Sequence, residues 1–115
     1  MTVEEFYERI GGDYQDVMHR LMKEDRVAKF VKMFLSDPSY NELKQAMADD
    51  NVDTAFKAAH TLKGVTANLS LSSLNAAAID ITEALRAGNM DLAVTLLPAV
   101  IQKYELIENL SKELD

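Results

Sequence analysis

The sequence predicts an all-α protein, an antiparallel four-helix bundle with additional short N-terminal helices. Three observations carry that expectation. Apolar residues recur at i, i+3, i+4 and i+7 along nearly the whole chain, and capping and breaking residues punctuate the pattern at short intervals. No segment alternates apolar and polar residues as a half-buried strand does. Short connections between such helices make neighbours run antiparallel.

Val3, Phe6, Tyr7 and Ile10 share one face of a first helix that Thr2 caps and Gly11-Gly12 ends. Asp13 can cap a second, Tyr14 to Met22, with Tyr14, Val17, Met18 and Leu21 inward. His19 lies here with no set of charged partners around it in sequence, and reads as an ordinary surface or boundary residue. Glu24 to Leu35 carries Val27, Phe30, Val31, Phe34 and Leu35 at helical spacing and stops before Asp37-Pro38. Ser39 followed by Glu42 matches a capping box for a helix from Tyr40 to Ala48 that buries Leu43, Ala46 and Met47. Asp49-Asp50-Asn51 is the next loop. Asn51 or Asp53 starts the following helix, Val52 to Leu69, with negative charge at its positive end.

After Leu69 the serines at 70, 72 and 73 break and restart the chain. Leu74, Ala77, Ala78, Ile81 and Leu85 line the next helix, which Gly88 terminates. Asn89 can cap a last helix, Met90 to Leu114, in which Leu97, Ile101, Tyr104, Ile107, Leu110 and Leu114 keep a helical period. Pro98 lies two turns in and removes one intrahelical bond, so it should kink or split this helix; a bend is expected rather than a break. The main helices are then 24–35 with 40–49, 52–69, 71–87 and 90–114. Residues 1–115 form one domain, of which 1–23 is a helical cap on the 24–115 bundle.

Composition narrows the function classes. Twelve basic against nineteen acidic residues give a net charge of -7, which disfavours a phosphate-backbone partner and so nucleic acid. The absence of cysteine excludes disulfides, thiol catalysis and Cys-ligated zinc and suits a cytoplasmic protein. The acidic N-terminus lacks the pattern of a signal peptide, and no apolar run is long enough for a membrane span, so no membrane role is expected. Because Met1 leads directly into helical sequence, a free-standing protein is expected rather than a piece of a larger kinase. The two histidines lie far apart and His60 has no ligand partner at i+4, which speaks against a metal site.

The candidate site is on the 52–69 helix. At 100° per residue, Ala55, Ala58, Leu62, Val65 and Leu69 form a core-facing stripe flanked by Ala59 and Thr66. His60 points the other way, with Asp53, Lys57, Gly64 and Ala67 within about 60° of it and Lys63 at the edge of that sector. Phe56 is about 40° away. It either packs at the boundary against a neighbouring helix or belongs to an apolar ring onto which a partner docks. A glycine inside a helix costs roughly 1 kcal/mol relative to alanine, so Gly64 beside an outward histidine implies a surface kept clear for an approaching partner. A neutral imidazole is a nucleophile near pH 7. Lys57 and Lys63, about a turn to either side, put positive charge beside it.

Ala59-His60-Thr61-Leu62-Lys63-Gly64 and the following Val65 to Leu71 resemble the signature of histidine-containing phosphotransfer (HPt) domains of multistep phosphorelays. The resemblance implies that His60 accepts a phosphoryl group from a receiver-domain aspartate or a kinase and passes it to a receiver. Lys63 would then stabilise the phosphoryl group, Gly64 would give clearance, and Phe56, Lys57 and Ala67 would belong to the docking surface. It implies response-regulator receivers and a sensor kinase as partners, with Mg²⁺ on the receiver only and no cofactor on this chain. No nucleotide-binding motif is present, so the expected role is a carrier and not an enzyme. A monomer is expected, because the His60 face must stay open. The family commonly has glycine where this chain has Ser70. The polar residue that often supports the histidine from the next helix would fall near Thr82 or Glu83, and that role stays open. The alternative is an HPt-like docking module that regulates a receiver or kinase by binding alone.

Overall fold

A computed structural model describes residues 1–114. They form seven helices: α1 (Val3–Ile10), α2 (Tyr14–Leu21), α3 (Glu24–Phe34), α4 (Ser39–Ala48), α5 (Val52–Asn68), α6 (Ser72–Arg86) and α7 (Met90–Ser111). No strand occurs among the described residues, and the all-α expectation holds. The tight pairings run α4 to α5, α5 to α6 and α6 to α7, while α1, α2 and α3 pack on one another and α1 also reaches α7. The Tyr40 ring on α4 stacks on Tyr104 of α7 at 3.6 Å between centres, and Phe34 of α3 meets the same tyrosine edge-on at 5.7 Å. These contacts bring α3, α4 and α7 together at one end.

Most helix starts follow from local side-chain chemistry. Thr2, Asp13, Asn51 and Asn89 each accept a hydrogen bond from the backbone N–H three residues on, at 3.0–3.1 Å. Asn51, not Asp53, therefore caps α5. Gly11 takes the left-handed conformation, φ 71°, that closes α1. Gly12 is required for a different reason, since a Cβ there would lie 2.6 Å from the Tyr7 ring.

The expected capping box at Ser39 does not form. Asp37 Oδ1 accepts the Ser39 N–H at 2.8 Å, and Pro38 already has helical backbone angles, with its carbonyl accepting from Glu42 N. Asp37 thus acts as the cap, and proline takes the first helical position, where its missing N–H costs nothing. Ser39 is left buried with its hydroxyl unpaired among the described residues.

Pro98 sits inside α7 without breaking it. Buried Ala93 precedes it, and Val100, Tyr104 and Ile107 follow, so packing on both sides holds the segment helical across the lost bond. Some expected core positions are less buried than the sequence implies: Tyr14, Met18, Leu21 and Leu35 are half-buried. Phe30 is 36% exposed and Val65 only half-buried, because α3 and the C-terminal half of α5 leave a groove between them.

Candidate functional site

The inner face of α5 seats the helix. Ala55, Ala59, Leu62 and Thr66 have no exposed surface, and Ala58 is buried too. The small side chains let the neighbouring helices approach closely. Thr66 satisfies its buried hydroxyl by donating to the carbonyls of Leu62 at 2.8 Å and Lys63 at 3.1 Å. From α6, the Asn75 side chain donates to Lys63 O at 2.9 Å and to Thr66 Oγ1 at 3.0 Å. The helical turn after His60 is therefore fixed by its neighbour.

His60 lies on the opposite, exposed face. Its imidazole has no hydrogen-bond or ion-pair partner among the described residues; it leans on the Phe56 ring, 5.9 Å between centres and tilted by 44°. One turn on, Gly64 is exposed, and a Cβ built there would meet nothing within 4 Å. Lys57 is exposed and Lys63 half-buried, and neither has an ion-pair partner among the described residues. Ala67 is exposed one further turn along. The structure thus brings His60, Phe56, Lys57, Lys63, Gly64 and Ala67 onto one continuous face of α5.

Phe56 is half-buried, and the cause could not be read from its own helix. The Arg86 guanidinium, at the end of α6, lies 4.9 Å from the centre of the Phe56 ring and bonds Glu83 at 3.2 Å. Arg86 therefore adds a cation over Phe56, itself paired with Glu83. Its signal in the sequence is faint: Asn75, Thr82 and Arg86 fall at i, i+7 and i+11, one edge of a helix whose partner had to be known first.

Of the two positions near which a residue supporting the histidine would fall, neither bonds it here. Thr82 is fully buried and turns its hydroxyl back to Ala78 O at 2.6 Å, while Glu83 points outward to Arg86. The threonine hydroxyl is taken up by the carbonyl four residues back on its own helix.

At Ser70 the reason for glycine becomes clear. Its φ is 53°, in the left-handed region that costs an L-residue about 1–2 kcal/mol. Ser70 Oγ donates to Asp16 Oδ2 at 2.5 Å, a bond glycine could not make. That bond, followed by Arg20 at 3.2 Å, holds the Asp16 carboxyl below its ordinary value against the opposing effect of burial.

Among the described residues no three His, Cys, Asp or Glu side chains converge as metal ligands, and no helix is long and apolar enough to cross a membrane. What the face offers is a lone nucleophile, nearby cations and clear space. No curated protein and no solved structure matched the chain. The sequence model of the Hpt domain does match, over residues 32–113, which include α4 to α7 entire and so the whole His60 face. Domains of that family carry phosphoryl groups on histidine in phosphorelays, and are carriers rather than catalysts. The chain belongs to the Hpt domain family.

Proposed function

We propose that this protein is a phosphohistidine carrier that takes a phosphoryl group on His60 from a receiver-domain aspartyl phosphate or a kinase and passes it to a receiver domain. The observation that carries the reading is an exposed imidazole without hydrogen bonds to the described residues, beside open space at Gly64 and Lys57 and Lys63 without ion-pair partners among them. In the transfer, the lone pair of the unprotonated ring nitrogen attacks phosphorus in line with the acyl oxygen. The N–P bond forms as the P–O bond breaks, the carboxylate leaves with the electron pair, and the other ring nitrogen then gives up its proton.

Little covalent assistance is needed, because phosphoryl transfer depends mainly on alignment and on positive charge near the equatorial oxygens. Lys63, on the turn that Asn75 fixes, supplies charge on the α6 side, and exposed Lys57 supplies it from the turn before His60. Mg²⁺ belongs to the receiver. Arg86 extends the positive surface and packs on Phe56, which in turn limits the tilt of the imidazole.

The test is transfer from a panel of labelled, phosphorylated receivers to wild type and to His60→Gln. Label on wild type alone, labile to acid and stable to base, is the expected result. Failure of every receiver to transfer, with binding retained, would replace the carrier by a docking module. Phe56→Ala sharpens the local assignment: unchanged thermal stability with weaker receiver binding supports a docking role, whereas a large fall in Tm would make Phe56 a packing residue.

A further inference from the structure

Helix α7 changes character along its length. Residues 90–101 carry one charged side chain, Asp91, and ten apolar ones, whereas the remaining residues, 102–111, carry three charges. A helical segment apolar on every side is normally enclosed. This one is not. Within it only Ala93 and Val100 are buried, while Leu92 is 45% and Val94 56% exposed, and Thr95, Pro98 and Ala99 are exposed as well.

Leu92, Leu96, Ala99 and Lys103 fall at i, i+4, i+7 and i+11 and so form one stripe, on the side of α7 that borders α6. Between the two helices lies a hollow of ≈ 210 Å³, walled by the small side chains of Ala76 and Ala77 together with Leu96 and Ala99. Asp80 of α6 and Lys103 of α7 line it too. Asp80 is exposed and enters no ion pair among the described residues. Lys103 Nζ donates to Ser73 Oγ at 2.7 Å and has further N–H groups to give.

One face thus holds a projecting leucine, a hollow with room for an aliphatic side chain, a carboxylate and an ammonium. That combination complements itself. A two-fold axis brings each residue of a patch onto another residue of the same patch, so that knob meets hollow twice and acid meets base twice. Residues 90–101 bring one charge per chain to such a contact, so the mutual repulsion of two chains of net charge -7 is small there.

A contact here leaves His60 free. Asp80 and Ser73 lie about 120–160° around α6 from Asn75 and Arg86, which mark the edge that meets the His60 helix. The expectation of a monomer rests on keeping the His60 face open, and association through α7 keeps it open.

We propose that the protein forms a two-fold dimer through the N-terminal half of α7 and the adjoining edge of α6. Leu92 of each copy enters the α6–α7 hollow of the other, and Asp80 of each pairs with Lys103 of the other. The apolar strip is about 18 Å long. That is at the small end of protein interfaces, so the dimer is weak and fills as concentration rises. It stands whether or not His60 carries phosphate.

Sedimentation equilibrium from micromolar to millimolar protein tests it, with the mass expected to rise from one chain to two. Ala99→Glu and Leu92→Ser, both at exposed positions, should each raise the dimer dissociation constant at least tenfold while the dilute protein keeps its Tm. Met33→Glu, at an exposed apolar position on α3, should leave it unchanged. Asp80→Lys should weaken association, and adding Lys103→Glu should recover it. Phosphoramidate, a small donor that needs no docking, should label both chains of the dimer. A wild type that stays monomeric throughout overturns the proposal; if Ala99→Glu then weakens binding of phosphorylated receivers, the face belongs to a receiver. A dimer indifferent to both Ala99→Glu and Leu92→Ser also overturns it. So does a charge swap that recovers nothing in folded protein, or one label per dimer, since either result contradicts the two-fold arrangement.

Discussion

Along the inner face of α5, Ala55, Ala59, Leu62 and Thr66 are wholly enclosed, and the one polar group among them is satisfied by two carbonyls and an asparagine from α6. Along the outer face, His60 bonds to nothing among the described residues, Gly64 borders empty space, and two lysines lack ion-pair partners. The two faces share seventeen residues of backbone but are organised for different ends. Packing on one side positions the helix. The other side stays chemically unsatisfied, so that a partner can satisfy it. Stability and function should therefore separate cleanly by face.

The largest separation is expected between Leu62→Ala and His60→Gln. Truncating fully buried Leu62 should cost about 2–5 kcal/mol in chemical denaturation, whereas His60→Gln should stay within about 0.5 kcal/mol of wild type while abolishing acid-labile label. Comparable losses in both would break the two-face description. Gly64 gives the opposite sign. A helical glycine in open space gains from a side chain, so Gly64→Ala should raise stability by up to about 1 kcal/mol. Gly64→Gln should keep the fold but slow transfer from receivers relative to phosphoramidate; equal slowing with both donors would show that clearance is not its role.

At the exit of α5, Ser70→Ala keeps the left-handed strain and loses the Asp16 bond, while Ser70→Gly loses the bond but relieves the strain. The alanine protein should be the less stable of the two by about 1 kcal/mol, and the reverse order in thermal melts would refute the account of this position. The smallest effect is pH-dependent. Ser70 and Arg20 favour the charged form of Asp16 in the folded protein, so their contribution is complete above the ordinary aspartate range and fades as pH falls through the lowered folded value. Wild type and Asp16→Asn should converge in stability as acid is added. A gap independent of pH would count against it.

The parts of the fold legible in the sequence are those with local causes. Thr2, Asp13, Asn51 and Asn89 bond amides three residues away, and the orientation of His60 follows from the apolar stripe on its own helix. Ser39 shows where local reading fails, because Asp37-Pro38-Ser39 and Ser39-x-x-Glu42 both spell a helix start and only one register can be used. The site was legible to the same extent. The face from Phe56 to Ala67 is a property of one helix, whereas Asn75 on Lys63, Arg86 on Phe56 and Asp16 on Ser70 join residues 12, 30 and 54 positions apart.

By itself, then, the sequence determined the helices, the caps at Thr2, Asp13 and Asn89 and an outward histidine beside a glycine, because each depends on contacts within a turn or two. Tertiary structure alone decided what lies around that helix: a cation on Phe56, a threonine turned back on its own helix, and a groove walled in part by N-terminal helices. These depend on how helix edges meet, and side chains distant in sequence become neighbours only when the core closes and sets the register between helices.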